Sequence, residues 1–184
     1  MKRMFDFAAA LIGLLVGAVA IAAMAVAVRM ESIGNPIFAQ TRVGRHGRPF
    51  TCYKLRTMYD DTAELPTHRV NASAVTPIGA RLRRWKLDEL PQLFNVLAGD
   101  MSLVGPRPCL PSQLALIEAR RRRGVLNIRP GITGLAQVRG VDMSDPEKLA
   151  TLDAQYVQEQ SFMGDLHLLI ATVAGKGRGK DQVR

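Results

Sequence analysis

The chain has 184 residues and a formal net charge of +9, from 25 lysines and arginines against 16 aspartates and glutamates. This length holds one domain with a real core and little more. Two cysteines without a spacing motif, Cys52 and Cys109, exclude a disulfide framework and favour free, structural thiols in a reducing compartment. The positive surplus suits an anionic partner, which could be nucleic acid, a phospholipid surface or a phosphorylated substrate.

The chain begins with an apolar segment long enough to cross a membrane. Residues 4–28 carry one charge, Asp6, and would form a helix of about 37 Å, against a hydrocarbon core of about 30 Å. Three interpretations fit: a signal peptide, a bitopic anchor, and a re-entrant helix that enters and leaves on the same face. The basic start at Lys2 and Arg3 resembles a signal peptide, but the run exceeds the usual apolar region of about 7–15 residues.

The charges at the two ends of this segment bear on its topology. Lys2 and Arg3 precede it, and arginines follow it at Arg29, Arg42, Arg45 and Arg48. Because positive residues prefer the cytoplasmic side, both ends are expected inside, as a re-entrant helix requires. The run contains no proline, and Gly13 and Gly17 are its only weak points.

A β-hairpin is predicted next. Gly34-Asn35-Pro36 is a turn signal, 36–44 has the pattern of a short strand, 44–49 that of a hairpin loop, and 50–58 that of a second strand. The polar stretch 60–73, which includes Asp60-Asp61, is predicted to be a loop.

Residues 76–100 are predicted to be helical in two pieces. Thr76 and Pro77 suit an N-cap and first helical position, Pro91 must kink or restart the helix, and Gly99 closes it. Apolar residues recur at three- and four-residue spacing, which predicts a core-facing stripe at Leu87, Leu90, Leu93, Phe94 and Leu97.

Three further helices are predicted towards the C-terminus. The first covers about 111–123 and ends in four arginines, Arg120 to Arg123, which suit ordinary capping before Gly124 and also an anionic membrane surface. The second covers about 146–160, with Asp145 as its cap. The third, about 165–174, is too short to span a bilayer but long enough to lie in its interface.

An adjacent acid pair, Asp88-Glu89, is the first candidate for chemistry. Adjacent residues on a helix point about 100° apart, so two carboxylates converge on one site only at a kink or an end, and Pro91 supplies such a break. The alternative is that both acids lie in a first helical turn, where they stabilise the helix dipole. Spacing alone leaves both interpretations open.

Arginines held by prolines favour the chemical interpretation. Arg83 precedes the acid pair, Arg107 lies between two prolines, and Arg129 precedes Pro130. Proline lowers the entropy lost in holding an arginine, and the guanidinium fork binds phosphate. Because Mg²⁺ prefers one or two carboxylates plus phosphate oxygens, and an ionised aspartate can be a nucleophile, these residues suit phosphoryl transfer.

Three blocks of this sequence resemble a known family. "YKLRTM" (53–58), "LDELPQLFNVLAGDMSLVGPRP" (87–108) and "RPGITGLAQVRG" (129–140) are similar to the signature blocks of the bacterial sugar transferases. These are monotopic phosphoglycosyl transferases that begin the assembly of bacterial surface glycans. The resemblance covers essentially the whole chain, which matches the minimal catalytic form of the family.

The resemblance implies a reaction and its catalytic groups. A sugar 1-phosphate would pass from a UDP-sugar to polyprenyl phosphate, usually undecaprenyl phosphate, with release of UMP. Asp88 matches the nucleophile, which forms a phosphosugar-aspartyl intermediate, and Glu89 matches the second acid, assigned to positioning or to proton transfer from the acceptor. Mg²⁺ would lie beside Asp88 and the diphosphate.

The resemblance also implies binding residues. Lys54, Arg83, Arg107 and Arg129 match basic positions expected to contact phosphate, and Gln137 matches a glutamine whose role is open. Many members read "GWAQVNGR" in the third block, whereas this chain has Leu135, Arg139 and Val141 at the differing positions. Arg139 is therefore an additional candidate for an anion contact.

The expected architecture is an α/β, membrane-associated, monotopic protein. It comprises a membrane-inserted, re-entrant helix (1–29), a compact cytoplasmic catalytic domain of surface helices and a few short strands (30–175), and a basic, disordered tail (176–184). The expected location is the cytoplasmic face of the bacterial inner membrane, with phospholipid as a partner and a homodimer possible.

A membrane-anchored adaptor that binds anionic lipid or nucleic acid through its basic face is the alternative function. It leaves the acid pair and the Pro-Arg-Pro sequence unexplained, and no interleaved aromatic residues support nucleic-acid binding. No nucleic-acid partner is therefore expected.

Overall fold

The computed structural model describes residues 1–59 and 74–176, so the predicted loop at 60–73 and most of the predicted tail lie outside the described residues. The helices are α1 (Lys2–Glu31), α2 (Pro77–Trp85), α3 (Gln92–Ala98), α4 (Leu114–Arg122), α5 (Leu135–Val138), α6 (Pro146–Gln158) and α7 (Phe162–Val173). The strands are β1 (Ile37–Val43), β2 (Pro49–Leu55), β3 (Ser102–Val104) and β4 (Gly131–Thr133). This arrangement confirms the predicted α/β class, with few short strands and one long apolar helix.

The predicted hairpin is present. β1 and β2 pair antiparallel, and the register sets Phe38 opposite Lys54 and Arg42 opposite Phe50. His46 takes the left-handed conformation (φ 58°) at the turn. β2 ends at Leu55 rather than at residue 58, and the side chain of the next residue, Arg56, donates hydrogen bonds to the carbonyls of Ser32 and Ile33 just after α1.

Two glycine-containing segments run side by side behind the hairpin. β3 and β4 form a short parallel pair, and a Cβ atom added at Gly105 would come within 2.7 Å of the carbonyl oxygen of Arg129. Only glycine permits this approach. It brings the Pro-Arg-Pro loop next to the loop that follows Arg129.

The helical region breaks where the sequence predicts. α2 is capped by Thr76, whose Oγ1 accepts a hydrogen bond from the Gly79 N–H at 2.9 Å, and it ends at Trp85. Lys86 takes the left-handed conformation (φ 57°), a 3₁₀ turn covers Leu87–Glu89, and α3 begins after Pro91. The acid pair therefore lies in a tight turn between two helices.

The predicted apolar stripe is wrong at Phe94, whose side chain is 56% exposed. Leu93 and Leu97 of the stripe pack against the core, and α3 also buries Gln92, Asn95 and Val96. Asn95 explains why a polar residue is buried here: its amide accepts from the Tyr53 N–H and donates to the Thr51 carbonyl. These bonds fix α3 against β2.

The arginines at the end of α4 have different environments, because one caps the helix and another is buried. Arg123 donates to the Ala119 carbonyl and Gly124 follows in the left-handed conformation, as the capping interpretation predicts. Arg120 instead points inward, 2% exposed, and bonds Asp153 of α6. This first arginine is therefore unavailable to a membrane surface.

The remaining predictions for the C-terminal half hold with small shifts. Asp145 caps α6, and α7 begins three residues earlier than expected because Ser161 caps it. Both cysteines are buried and free.

α1 is one continuous helix through Gly13 and Gly17, and both of its ends bond to the domain. At its start, Lys2 pairs with Asp165, and the buried Asp6 accepts a hydrogen bond from the Ser102 hydroxyl at 2.7 Å. At its end, the Glu31 carboxylate accepts from the Ile78 N–H. Most of the length between is exposed. In the part of the chain that the structure describes, α1 alone is long and apolar enough to cross a membrane.

Candidate active site

The candidate site is built around the turn that carries the acid pair. Asp88 and Glu89 are 8% and 7% exposed, in the 3₁₀ turn between α2 and α3. Burial of two adjacent carboxylates is costly unless partners compensate for the lost hydration. The two acids meet this cost in different ways.

Glu89 is held by two cations. Its Oε1 accepts hydrogen bonds from Lys54 Nζ at 3.0 Å and from Arg107 Nη2 at 2.8 Å. Burial alone would raise the pKa of Glu89, but Arg107, Lys54 and Lys86 together lower it to about 2. Glu89 is therefore ionised at neutral pH and links β2 to the Pro-Arg-Pro loop.

Asp88 is buried without such partners. Among the described residues, its carboxylate accepts no hydrogen bond and forms no ion pair. Burial and the neighbouring Glu89 raise its pKa, and the more distant charges of Lys54, Arg83 and Arg107 only partly oppose the rise. A pair of acids whose pKa values are driven apart is typical of a division of chemical roles.

Replacing Glu89 with glutamine should lower the free energy of unfolding at pH 7 by about 3 kcal/mol, because Lys54 and Arg107 would lose their shared counter-charge. The pKa of Glu89 is lowered by folding, so its contribution is complete above its ordinary pKa of 4.5 and is lost as the pH falls towards 2. Denaturant unfolding at pH 7 and at pH 3 checks this. Equal destabilisation at both pH values would contradict it.

A narrow cleft opens beside Glu89, and its lining includes residues that the sequence analysis did not select. The lining is Arg42, Cys52, Lys54, Glu89, Gln92, Arg107, Pro108, Gly131 and Ile132. Arg42 is the main addition. The alternation of side chains between the two faces of a strand could have indicated Arg42, because the hairpin register places Arg42 and Lys54 on the same face.

Arg83 and Arg107 lie close to the acid pair. Arg107 bonds Glu89 directly, and the positive charges of both arginines act to lower the pKa of Asp88. Arg83 Nε also donates to the Thr57 hydroxyl at 2.8 Å, which ties α2 to the end of the hairpin. The predicted cations Lys54, Arg83 and Arg107 thus gather around the two carboxylates.

Arg129 lines a second, larger cavity of about 540 Å³. Its Nε donates to the Gly99 carbonyl at 2.7 Å, and Arg45 of the same cavity donates in the same way to the Asn127 carbonyl. The lining is Gly44, Arg45, His46, Arg48, Pro49, Phe50, Gly99, Asp100 and Arg129. The cavity adjoins the cleft, because Phe50 of its lining pairs with Arg42 of the cleft.

Gln137 and Arg139 form no hydrogen bond or ion pair with the acid pair among the described residues. Gln137 is buried on α5 and donates to the Ile132 carbonyl at 3.0 Å, directly behind the cleft. Its Oε1 is buried and accepts no hydrogen bond from the described residues. Arg139 is exposed and donates to Gln155 of α6 at 2.8 Å.

The donor set around Asp88 fits Mg²⁺ and does not form a complete cage for it. Within residues 1–59 and 74–176, no three histidine, cysteine or acidic side chains are placed so that they could together hold a metal ion. Mg²⁺ needs only one or two carboxylates when phosphate oxygens supply further ligands. Because Lys54 and Arg107 engage Glu89, Asp88 is the carboxylate that could hold such an ion.

Comparison with known proteins shows which family and which relatives this chain is similar to. The family model described as bacterial sugar transferase matches residues 1–177. The "Uncharacterized sugar transferase EpsL" of Bacillus subtilis is 43% identical over 174 residues, covering 94% of this chain and 85% of that protein.

Two relatives have names that state a reaction. The "UDP-glucose:undecaprenyl-phosphate glucose-1-phosphate transferase" of Caulobacter vibrioides is 39% identical over 181 residues, 94% of this chain and 68% of that protein. The "Undecaprenyl-phosphate glucose phosphotransferase" of Komagataeibacter xylinus is 38% identical over 185 residues, 94% of this chain but only 35% of that protein. The similarity therefore covers nearly all of this chain, and some relatives carry much additional sequence.

Proposed function

Because this chain belongs to the bacterial sugar transferases, we propose that it transfers a sugar 1-phosphate from a UDP-sugar to a polyprenyl phosphate such as undecaprenyl phosphate. The products are a polyprenyl-diphosphate sugar and UMP. The observation that carries this proposal is the difference between the two acids: Asp88 is buried and unpaired in the described residues, while Glu89 beside it holds Lys54 and Arg107. The names of the relatives support the class of reaction.

The reaction takes place in two displacements at one phosphorus atom. A carboxylate oxygen of Asp88 attacks the β-phosphorus of the donor, the bond to the bridging oxygen breaks, and UMP leaves with that electron pair. A phosphate oxygen of the lipid then attacks the same phosphorus, and the bond to Asp88 breaks. The carboxylate of Asp88 is regenerated, and the sugar phosphate is joined to the lipid as a diphosphate.

The cations and Glu89 prepare the site for this chemistry. Arg107 and Lys54 place positive charge where the phosphate oxygens become more negative in the transition state. Glu89 fixes both of them, and its low pKa supports a positioning role rather than proton transfer from the acceptor. Mg²⁺, held by Asp88 and phosphate oxygens, would neutralise charge on the diphosphate.

The larger cavity is suited to the nucleotide end of the donor. Phe50 and Lys54 lie on the same face of β2, four residues apart, which corresponds to about 13 Å along a strand. A nucleoside diphosphate can extend over such a length from Lys54 to Phe50. The Nε bonds of Arg45 and Arg129 orient their guanidinium groups, and Phe50 offers an aromatic surface.

Replacing Arg129 with glutamine should raise the KM for the UDP-sugar by about tenfold, with a smaller change in kcat, because the lost contact is equally present in the ground and transition states. Steady-state UMP release checks this. The control is Arg121→Gln, an exposed residue of α4 that pairs with Glu118. An unchanged KM in the Arg129→Gln variant would show that Arg129 does not bind the donor.

The proposed location is the cytoplasmic face of the bacterial inner membrane, with α1 inserted as a re-entrant helix. The helix is continuous through Gly13 and Gly17, and the bonds at its two ends support this location because both ends reach the same domain. Exposed apolar side chains elsewhere would face phospholipid, notably Trp85, Phe94, Phe162, Met163, Ile170 and Val173.

The test is UMP release by the purified protein in detergent, with undecaprenyl phosphate, Mg²⁺ and a panel of UDP-sugars. We expect release that needs the metal and Asp88, with a phosphosugar adduct on Asp88 when the lipid is omitted. A folded protein that neither releases UMP nor forms the adduct would favour the membrane-anchored adaptor.

A further inference from the structure

The main-chain carbonyls of the Pro-Arg-Pro loop are all hydrogen-bonded. Each main-chain carbonyl from Pro106 to Cys109 accepts a hydrogen bond within 3.2 Å; the donors are, in order, Gly131 N, Arg120 Nη1, Arg42 Nη1 and Val43 N. Two of these donors are backbone groups of neighbouring strands. The other two are arginine side chains, and only Arg42 lines the cleft.

Arg120 contacts the loop but does not line the cleft. Its Nη1 donates to the carbonyl of Arg107 at 2.9 Å, while its Nε and Nη2 donate to Asp153 Oδ2 at 2.9 and 2.7 Å. The Arg120 and Asp153 residues are 2% and 3% exposed. The fork of Arg120 is therefore fixed by Asp153, and its remaining arm is directed at the residue that bonds Glu89.

The buried pair is poorly explained as a source of stability. Removing two charges from water costs several kcal/mol per ion, and apolar pairs of similar volume are often as stable or more so. Burial raises the pKa of Asp153 even though Arg120 opposes the rise, as expected for a pair that bears a large desolvation cost. The packing of α4 on α6 does not require the pair, since Leu116, Ala119, Leu149 and Ala150 form apolar contacts there.

We propose that Arg120 and Asp153 are positioning residues for the transfer reaction. Asp153 orients Arg120, Arg120 holds the carbonyl of Arg107, and the Arg107 guanidinium is thereby kept at 2.8 Å from Glu89 Oε1. This role rests on the proposed function. It places a determinant of the rate in α4 and α6, outside the three sequence blocks that carry the family resemblance.

Two variants separate positioning from stability. Asp153→Asn retains an oxygen that accepts from Arg120, but leaves its buried charge without a counter-charge, so the melting temperature should fall while kcat stays within about threefold of wild type. The double variant Arg120→Met, Asp153→Leu removes both charges and the bond to Arg107. Its melting temperature should equal or exceed that of wild type, while kcat should fall about 10- to 100-fold, the loss expected from a misplaced reactive group.

A surface ion pair between the same two helices provides a matched control. Arg122 of α4 and Glu147 of α6 form an ion pair at 2.7 Å with side chains more than half exposed. The double variant Arg122→Met, Glu147→Leu should retain wild-type kcat and KM, because an exposed pair contributes little.

The measurements are UMP release, with kcat and KM determined separately, and thermal unfolding of each variant in the same detergent. Opposite changes in stability and rate for the two variants would support positioning. A folded Met/Leu variant with wild-type kcat, or variants whose rates follow their melting temperatures, would overturn it. If the wild-type protein releases no UMP from any donor, the proposed function itself is wrong, and the positioning role fails with it.

Discussion

Asparagine in place of Asp88 should abolish UMP release and, at the same time, stabilise the fold. The loss of rate should be at least about 10⁴-fold, as for other residues that form the covalent intermediate. The gain in stability should be about 1 kcal/mol, because Asp88 is a buried carboxylate beside a second one, without an ion pair in the described residues. The amide keeps the shape of the side chain and removes its charge.

The size of this gain in stability depends on pH. Folding raises the pKa of Asp88, so the folded state binds this proton more tightly than the unfolded chain. The ionised Asp88 therefore opposes folding most above its raised pKa, and the opposition fades as the pH falls through that pKa towards the ordinary value of 3.8. Asp88→Asn should stabilise the protein at pH 7 and much less at pH 3.

Unfolding in denaturant at the two pH values checks the effect, and UMP release checks the activity. Glu118→Gln, an exposed acid of α4, is the control, and it should change neither. An asparagine variant that is less stable than wild type at pH 7 would show that Asp88 has a stabilising partner. One that still releases UMP would exclude Asp88 as the nucleophile.

Lysine in place of Arg107 should lower kcat by about 10²- to 10³-fold, the usual cost of removing a donor that stabilises transition-state charge. Lysine keeps the positive charge but lacks the planar fork that can bond a carboxylate and a phosphate together. Arg107 already bonds Glu89 through Nη2, so the variant should retain much of that ion pair and remain folded.

Kinetics with a UDP-sugar and the lipid acceptor test the Arg107 prediction, with Arg121→Lys as a charge-preserving control on the exposed face of α4. The decrease should appear in kcat more than in KM, since the interaction strengthens in the transition state. If only KM rises, Arg107 contributes to ground-state binding alone. A lysine variant with full activity would show that charge suffices and that the fork is dispensable.

The sequence predicts best those features that depend on neighbouring residues. Pro91 and Gly99 mark the break and the end of the helical region, and Thr76 and Asp145 mark helix starts, because proline, glycine and capping side chains act on the backbone next to them. Phe94 is the exception: spacing places it beside Leu93 and Leu97, but its ring lies 56% exposed against Tyr53 of β2.

Other parts of the site depend on contacts between distant segments. The sequence predicts that Arg120 is a capping residue. In the structure it is buried and bonds Asp153 of α6, which lies 33 positions away in the chain. Arg42 contributes to the cleft only because the hairpin register places it on the face of Lys54. Arg129 enters the larger cavity because the close approach at Gly105 fixes the path of its loop. Neither spacing nor composition encodes these partners.

The bonds at the start of α1 have a consequence for the order in which the protein is made. Lys2 pairs with Asp165, 163 positions later in the chain, and Asp6 bonds Ser102, 96 positions later. The apolar helix α1 therefore emerges from the ribosome long before the partners of Lys2 and Asp6 have been synthesised. Asp6 must stay hydrated until Ser102 has been synthesised, and Lys2 until Asp165 of the last helix has been synthesised. Complete seating of α1 is then a late event that follows translation of α7.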